Sequence, residues 1–251
     1  MNEKYNGRLT SRAKKDITRL RKGEPVDYVI GYKNFCGCKI DLRHKPLIPR
    51  DETEYWVKQV IAEKPKPDFG KLPEVGLRRV LDIFAGSGCC GIAVLKNIPN
   101  SHCDFCDIDD NCLKQIRLNL RINGIDKKRY RVIKSDVFEK LLTSDVNSGK
   151  YDMILANPPY IGLTEKKKVQ KSVLDFESER ALFARDKGLF FIKKFLSQAK
   201  NFLAESGVIY LEIGYNQKKE VESILKRQDY QNFGFHKDQF GRWRYLKIEN
   251  S

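Results

Sequence analysis

The tetrapeptide Asn157-Pro158-Pro159-Tyr160 holds the residues of this sequence that could most directly do chemistry. Its two prolines lack amide donors and restrict the backbone, so the carbonyl oxygens of the turn are left free. A planar substrate nitrogen with two hydrogens could donate one to the Asn157 side-chain oxygen and the other to the Pro158 carbonyl. The Tyr160 ring could stack on the same flat group. These residue types indicate a site that presents an amide or amino nitrogen for methyl transfer, chiefly by positioning and electrostatics.

A glycine-rich turn, 82–91, precedes the tetrapeptide in the chain. Glycines at positions 86, 88 and 91 let a backbone turn tightly and approach a ligand closely. Their spacing also satisfies the G-x-G-x-x-G pattern of nicotinamide and flavin sites, although that pattern alone is weak. In enzymes that use S-adenosyl-L-methionine, the same turn lies against the amino acid and ribose of the cofactor, and an acidic residue such as Asp82 begins it. The tetrapeptide favours this cofactor, because a nicotinamide enzyme has no use for it at that place.

Two further aspartates stand at the ends of predicted strands. Asp107 lies about twenty residues beyond the glycine turn, where a carboxylate can accept hydrogen bonds from both ribose hydroxyls. Asp136 ends the next strand, near the expected adenine edge. Either aspartate alone would more often be a helix cap. Their order along the chain, after the glycine turn, indicates a cofactor site.

The elements that must position these residues alternate between strand and helix from Val80 onward, which predicts a parallel α/β sheet. Strands are predicted at 79–84, 102–106, 130–134, 151–156 and 207–213, and helices at 90–96, 110–122, 187–203 and 217–226. Segments 233–236 and 242–248 predict a closing hairpin. Seven strands with an antiparallel final pair are typical of the class I methyltransferase sheet, a Rossmann-like fold, and match it better than a plain dinucleotide-binding fold.

The first fifty residues predict a different arrangement. Segments 27–32 and 37–41 predict the two strands of a short β-hairpin. Either Asp51 or Thr53 could cap a following helix, and residues 63–74 hold three prolines and several charges, which indicates a connector. We therefore expect a short basic N-terminal segment with a hairpin at 1–50 and a methyltransferase domain at 51–251.

The composition is strongly basic, with a formal net charge of +15 in 251 residues. Clustered Lys and Arg gain affinity for phosphate-bearing partners by releasing counterions, and such clusters recur at 8–21, 127–131 and 166–171. The same residues could simply solvate the surface of the protein. A protein that works close to the ribosome or RNA would satisfy both interpretations, and a monomer is favoured.

Several features indicate a cytoplasmic protein without a metal site. No apolar run approaches the roughly 20 residues that span a bilayer, so no membrane partner is expected, and the N-terminus has no secretory h-region. The seven cysteines are an odd count that favours reduced thiols. Cys36/Cys38 and Cys103/Cys106 resemble ligand pairs but lack a matching second pair, so we predict packing roles and no metal.

The sequence resembles the HemK-type glutamine methyltransferases that modify peptide-chain release factors. The resemblance runs from Gly23 to nearly the end of the chain. Its narrowest parts are the segment Ile48-Pro49-Arg50-Asp51-Glu52-Thr53-Glu54 and the segment Leu211-Glu212-Ile213-Gly214 followed by Gln217. Similar short segments occur at 175–177, 181–182 and 186–189.

This resemblance implies S-adenosyl-L-methionine as cofactor, S-adenosyl-L-homocysteine as product and a release factor as protein substrate, methylated on the glutamine amide of a Gly-Gly-Gln loop. It implies cofactor contacts along 84–88 and at Asp107, a cavity wall shaped by Arg50 and Glu54, and Val137 where an aromatic often packs on adenine. The catalytic candidates are Asn157, Pro158, Pro159 and Tyr160. The cofactor-binding candidates are Asp82, Phe84, Ala85, Gly86, Ser87, Gly88, Asp107, Asp136, Val137, Asn157 and Arg50.

The resemblance departs from the family at the N-terminus. Family members usually carry an N-terminal helical domain that helps to dock the release factor, whereas some twenty residues precede Gly23 here, room for one basic helix at most. We therefore expect residues 1–50 to be the remnant of a docking region, with docking reduced, altered or supplied by a partner.

Three other functions remain open from the sequence. The tetrapeptide would equally hold the exocyclic amino group of adenine or guanine, so RNA or DNA methylation is one alternative, slightly favoured by the basic charge. A ribosomal-protein glutamine is a second possible target. A scaffold that binds S-adenosylmethionine without catalysis is a third, and the intact Asn157 and Asp107 argue against it.

Overall fold

A seven-stranded mixed sheet forms the centre of the structure, a computed structural model that describes residues 10–63, 78–143 and 150–250. The strands in chain order are β1 (Tyr32–Phe35), β2 (Cys38–Asp41), β3 (Arg78–Ile83), β4 (Ser101–Asp107), β5 (Tyr130–Lys134), β6 (Tyr151–Ala156), β7 (Ile161–Gly162), β8 (Phe183–Ala184), β9 (Leu203–Glu212), β10 (Phe233–Lys237) and β11 (Trp243–Glu249). The central sheet has the order β10-β11-β9-β6-β3-β4-β5. β11 is antiparallel to both of its neighbours, while the other pairs are parallel. The class I methyltransferase sheet predicted from the sequence is confirmed.

Helices and short turns connect the strands. The α-helices are α1 (Ser11–Arg21), α2 (Val26–Ile30), α3 (Asp51–Ala62), α4 (Cys89–Asn97), α5 (Asp110–Ile122), α6 (Glu139–Thr143), α7 (Lys171–Phe176), α8 (Glu179–Leu182), α9 (Phe190–Ala199) and α10 (Lys218–Arg227). Short 3-10 turns lie at Lys127–Arg129, Leu163–Lys168, Asp186–Gly188 and Lys200–Phe202. None of the helices in the described ranges is long and apolar enough to cross a membrane.

The central strands β3, β4 and β6 are mostly buried on both faces of the sheet. Neighbouring residues of β3 point to opposite sides, so Val80 packs with α3, α4, α5 and the hairpin, while Leu81 packs with α9 and α10. Trp56 of α3 and Phe35 of β1 are fully buried in the first of these two cores. The N-terminal hairpin therefore shares a hydrophobic core with α3, α4 and α5.

The hairpin is confirmed, but the prediction misplaced its first strand. Residues 27–30 belong to α2, which begins after Pro25 and ends at Gly31 with a φ of 96°. The true turn of the hairpin is Cys36-Gly37, where φ is 47° and 77°. Two consecutive left-handed residues are what a two-residue hairpin loop needs to match the strand twist. The apolar run Tyr28-Val29-Ile30 suggested a strand, whereas the position of the turn places the first strand later in the chain.

Three helix and strand boundaries also differ from the sequence-based expectation. α3 begins after Arg50 without a side-chain cap, so neither Asp51 nor Thr53 acts as its N-cap. The expected helix 187–203 is confined to α9, because its ends are 3-10 turns and Lys187 has a φ of 54°. β9 begins at Leu203, earlier than predicted. Apart from Glu63, the expected connector at 63–74 lies outside the described residues.

Candidate active site

Two adjoining cavities open at the carboxyl ends of β3, β4 and β6, the edge of a parallel sheet where ligands bind in such folds. The larger has a volume of about 690 Å³ and the smaller about 350 Å³. Arg50, Leu47, Asn157 and Ala181 line both. The predicted site residues that line the larger cavity are Arg50, Asp82, Phe84, Ala85, Gly86, Ser87, Asp107, Asp136, Val137, Asn157 and Pro159. Pro158 and Tyr160 line the smaller one.

The glycine turn passes from β3 into α4 through left-handed backbone. Phe84, Gly86 and Gly88 have φ values of 58°, 55° and 78°. Gly88 lines neither cavity; it is the N-cap of α4. Gly91 permits close packing of the helix on the sheet, because a Cβ there would lie 2.5 Å from the Phe105 ring. The glycines therefore set the path of the backbone along the cavity.

Backbone amides hold the two aspartates of the larger cavity in place. Gly86 N donates to Asp107 Oδ2 at 2.8 Å and Asp109 N donates to Asp107 Oδ1 at 2.9 Å. Gly91 N donates to Asp82 Oδ2 at 2.8 Å. Burial raises the pKa of Asp107, and it raises the pKa of Asp82 to about 8. Each Asp107 oxygen keeps a lone pair that could accept a hydrogen bond from a ligand hydroxyl.

Asp136 and Val137 are adjacent residues that line the larger cavity. Lys194 of α9 forms an ion pair with Asp136 at 2.8 Å. Val137 is buried and has a φ of 53°, and Ser135 Oγ donates to its carbonyl at 2.8 Å. A ligand that bonds to the Asp136 carboxylate must share it with Lys194.

Asn157 follows β6 and faces both cavities. Its Nδ2 donates to Thr53 Oγ1 at 3.3 Å, and the Thr53 hydroxyl donates to Glu212 Oε2 at 2.7 Å. Trp56 Nε1 donates to the same Glu212 oxygen, also at 2.7 Å. Burial raises the pKa of Glu212, while the hydrogen bonds from Trp56 and Thr53 oppose that shift. Asn157 is thus connected to a buried carboxyl group through one threonine.

Tyr160 is held at both its hydroxyl and its carbonyl. The hydroxyl donates to Glu212 Oε1 at 3.0 Å, and Arg244 Nη1 donates to the hydroxyl at 3.2 Å. Asp238 accepts from Arg244 Nε at 3.2 Å. Gln217 Nε2 donates to the Tyr160 carbonyl at 2.8 Å. Burial raises the pKa of Tyr160 well above its usual value, so its hydroxyl stays protonated.

An ion pair between half-buried Arg50 and buried Glu177 joins the N-terminal part of the chain to the segment beyond the tetrapeptide. Arg50 Nη2 lies 2.7 Å from Glu177 Oε1, and Ile48 N donates to the other Glu177 oxygen at 3.1 Å. Both charged residues line the larger cavity. Glu54 does not line it, contrary to the expectation from the resemblance. Its carboxylate accepts from the Cys36 amide of the hairpin at 2.9 Å and so anchors the hairpin to α3.

Sequence reasoning assigned no site role to Thr53, Glu212, Gln217 or Arg244. The first three fall in the segments that carry the family resemblance, so that resemblance was the feature of the sequence that could have indicated them. Arg244 had no signal, since it lies on the antiparallel strand β11. It reaches Tyr160 only because β11 pairs with β9 in a register that places Tyr245 opposite Glu212.

Comparisons with known proteins show the family to which the chain belongs. Residues 70–237 match the methyltransferase small domain family. The chain is 32% identical over 233 residues to the release factor glutamine methyltransferase of Flavobacterium psychrophilum, across 92% of this chain and 78% of that protein. It is 33% identical over 232 residues to the protein of the same name from Lactococcus lactis subsp. lactis, across 92% and 79%.

A similar fold occurs in the solved structure of the hMettl16 catalytic domain in complex with hairpin 1 of the MAT2A 3'UTR. The TM-score is 0.63 at 17% identity, with 96% of this chain and 79% of that chain covered. At that identity the similarity concerns the fold alone.

Proposed function

The chain belongs to the family of release factor glutamine methyltransferases, and on this premise we propose that it methylates the glutamine side-chain amide of the Gly-Gly-Gln motif in a peptide-chain release factor. The methyl donor is S-adenosylmethionine, which leaves as S-adenosylhomocysteine. The observation that most supports this target is the pair of acceptors at Asn157 and Pro158, beside a cavity large enough for the cofactor.

The larger cavity suits S-adenosylmethionine in size and in chemistry. Its volume of about 690 Å³ falls within the roughly 300–1,000 Å³ of typical small-ligand pockets. Asp107, with both oxygens oriented by backbone amides, is suited to the ribose hydroxyls. Asp82 is suited to the cationic amino group of the methionine part, and Asp136 with Val137 to the adenine. When bound, the cofactor supplies an electrophilic methyl group on a positively charged sulfur.

The target nitrogen would lie against Asn157 and Pro158 at the junction of the two cavities. Within the described ranges, no donor bonds to Asn157 Oδ1 or to the Pro158 carbonyl, so both oxygens can accept. A primary amide offers two N–H donors and matches this pair of acceptors, whereas a carboxylate offers none. The same two acceptors would repel a glutamate side chain, which separates glutamine from its acidic analogue.

Positioning, rather than a strong base, is the contribution expected from these residues. The pair of acceptors holds the amide plane and leaves one face of the nitrogen toward the larger cavity. Their partial negative charges also stabilise the positive charge that develops on nitrogen. The proton can then leave to solvent, so the protonated state of Tyr160 is no obstacle.

The surface charge supports a proposal about where the enzyme works. We propose that it works in the cytoplasm near the ribosome as a monomer, with basic residues attracted to RNA. The net charge of +15 and the exposed lysines at 166–168 support this. We also propose that residues 1–50, the expected remnant of a docking region, take part in docking the release factor. Pull-down of release factor by a variant that lacks residues 1–22 tests the second point; unchanged capture would contradict it.

The activity itself is tested with radiolabelled S-adenosylmethionine. The organism's own release factor is compared with a Gly-Gly-Asn variant, and bulk RNA and DNA are assayed in parallel. We expect label in the Gly-Gly-Gln protein alone, lost in Asn157→Ala. Label in RNA or DNA instead would refute the proposed substrate while leaving the cofactor chemistry intact.

A further inference from the structure

A chain of hydrogen bonds runs from Asn157 into the core between α3 and β9. Asn157 Nδ2 donates to Thr53 Oγ1, and Thr53 donates to Glu212 Oε2. Thr53 and Glu212 are 2% and 1% exposed, so neither exchanges its partner for water. The donor and acceptor roles within this chain are therefore constrained.

The order of donors and acceptors starts at Trp56. An indole N–H can only donate, so the Glu212 oxygen that it contacts must be an acceptor. With the Glu212 carboxylate ionised, both of its oxygens accept, so Thr53, which lies 2.7 Å from the same oxygen, donates its single hydroxyl hydrogen there. Its remaining lone pairs can only accept. Asn157 therefore has to turn its NH₂ group toward Thr53, which leaves Oδ1 for the substrate.

We propose that Thr53, held by Glu212, is a positioning residue that sets the polarity of the target-nitrogen site. An asparagine amide is nearly symmetric in shape, so its two orientations differ mainly in which atoms donate. Without the Thr53 hydroxyl, nothing among the described contacts prevents the NH₂ group from facing the substrate. The Asn157 NH₂ group and the substrate N–H, both donors, would then face each other, and no hydrogen bond could form between them. The proposal rests on the proposed function, since it assumes an incoming N–H donor.

The matched variants are Thr53→Val and Thr53→Ser. Valine keeps the shape of threonine but removes the hydroxyl, whereas serine keeps the hydroxyl. We expect kcat/KM for a Gly-Gly-Gln peptide to fall about 10- to 100-fold in Thr53→Val, from the loss of one buried hydrogen bond to substrate. Thr53→Ser should remain within about threefold of wild type. Thr53 and Asn157 also line the larger cavity. The affinity for S-adenosylhomocysteine, measured by calorimetry, should nevertheless change less than twofold in both variants, because in this proposal the Asn157 Oδ1 atom binds the substrate amide.

A double-mutant cycle separates this role from a purely structural one. Peptide affinity is measured with S-adenosylhomocysteine present, in wild type, Thr53→Val, Asn157→Ala and the double variant. If Thr53 acts through the Asn157 amide, Thr53→Val should weaken binding in wild type and have no further effect in Asn157→Ala. Equal weakening in both backgrounds, or wild-type affinity in Thr53→Val, would overturn the inference. Thermal denaturation of each variant accompanies the cycle, and Thr53→Ser provides the folded reference.

Different results would contradict the proposed substrate and the proposed role of Thr53. If wild type methylates RNA and not the release factor, the proposed function is wrong, and the Thr53→Val and Thr53→Ser comparison on that RNA still tests the positioning role. If wild type methylates the release factor and the valine variant does so equally well, the positioning role alone is wrong.

Discussion

The ion pair between Arg50 and Glu177 gives a sharp prediction about stability. The Glu177 side chain is fully buried, while the Arg50 side chain is 32% exposed. Glu177→Ala would leave the guanidinium without its partner and the Ile48 amide without its acceptor. Breaking a buried pair costs about 3–5 kcal/mol, and partial hydration of Arg50 places the expected loss near about 3 kcal/mol.

Two control variants define the origin of that loss. Glu177→Gln keeps an acceptor for the Ile48 amide but removes the charge, so we expect a loss of about 1.5 kcal/mol. Glu179→Ala removes the exposed partner of Lys166, two residues away, and should cost about 0.5 kcal/mol or less.

The assay is urea denaturation at neutral pH, checked by thermal melting. A loss of about 3 kcal/mol corresponds to a fall in Tm of about 6–12 °C for a domain of this size. Because Arg50 and Glu177 line the larger cavity, the affinity for S-adenosylhomocysteine should fall in Glu177→Ala as well. A loss below about 1 kcal/mol, or one equal to that of Glu179→Ala, would refute the reasoning from burial.

Two further predictions concern Asp82 and Gly188. Burial raises the pKa of Asp82 to about 8, so this carboxylate forms only as the pH rises. Affinity for S-adenosylhomocysteine, with its cationic amino group, should increase about fivefold from pH 7 to pH 8 by calorimetry, and the increase should be absent in Asp82→Asn. Gly188→Ala places a Cβ 2.0 Å from the Tyr160 carbonyl, so denaturation should show a loss above about 3 kcal/mol together with loss of methyl transfer. Gly124→Ala, also at positive φ but without contacts within 4 Å, should cost about 1 kcal/mol and spare activity.

The central strands could be predicted because their signal is local. β6 has the bounds that the sequence indicated, since a buried parallel strand is a short apolar run, here followed by the polar Asn157. α5 was equally accurate, because its buried face repeats with the period of a helix.

The hairpin shows where local signals fail. Segment 27–32 contains the apolar run Tyr28-Val29-Ile30, which suggested a strand, yet Pro25 and Gly31 enclose a five-residue helix there. The strand began later because the turn at Cys36-Gly37 fixed the pairing of Tyr32 with Asp41. Six-residue patterns do not distinguish these outcomes, whereas the pairing register does.

The sequence by itself determined the fold class, through the alternation of strands and helices, and the cofactor, through contiguous motifs; it also indicated the tetrapeptide that we propose receives the target nitrogen. Only the tertiary structure decided which residues orient that motif. Thr53 and Glu212 are 159 positions apart, and Arg50 and Glu177 are 127 apart. Such pairs form when α3 packs beside β9 and when the segment after the tetrapeptide folds back over the cavity. Their donor and acceptor roles depend on burial and on strand register, two properties that no short stretch of sequence contains.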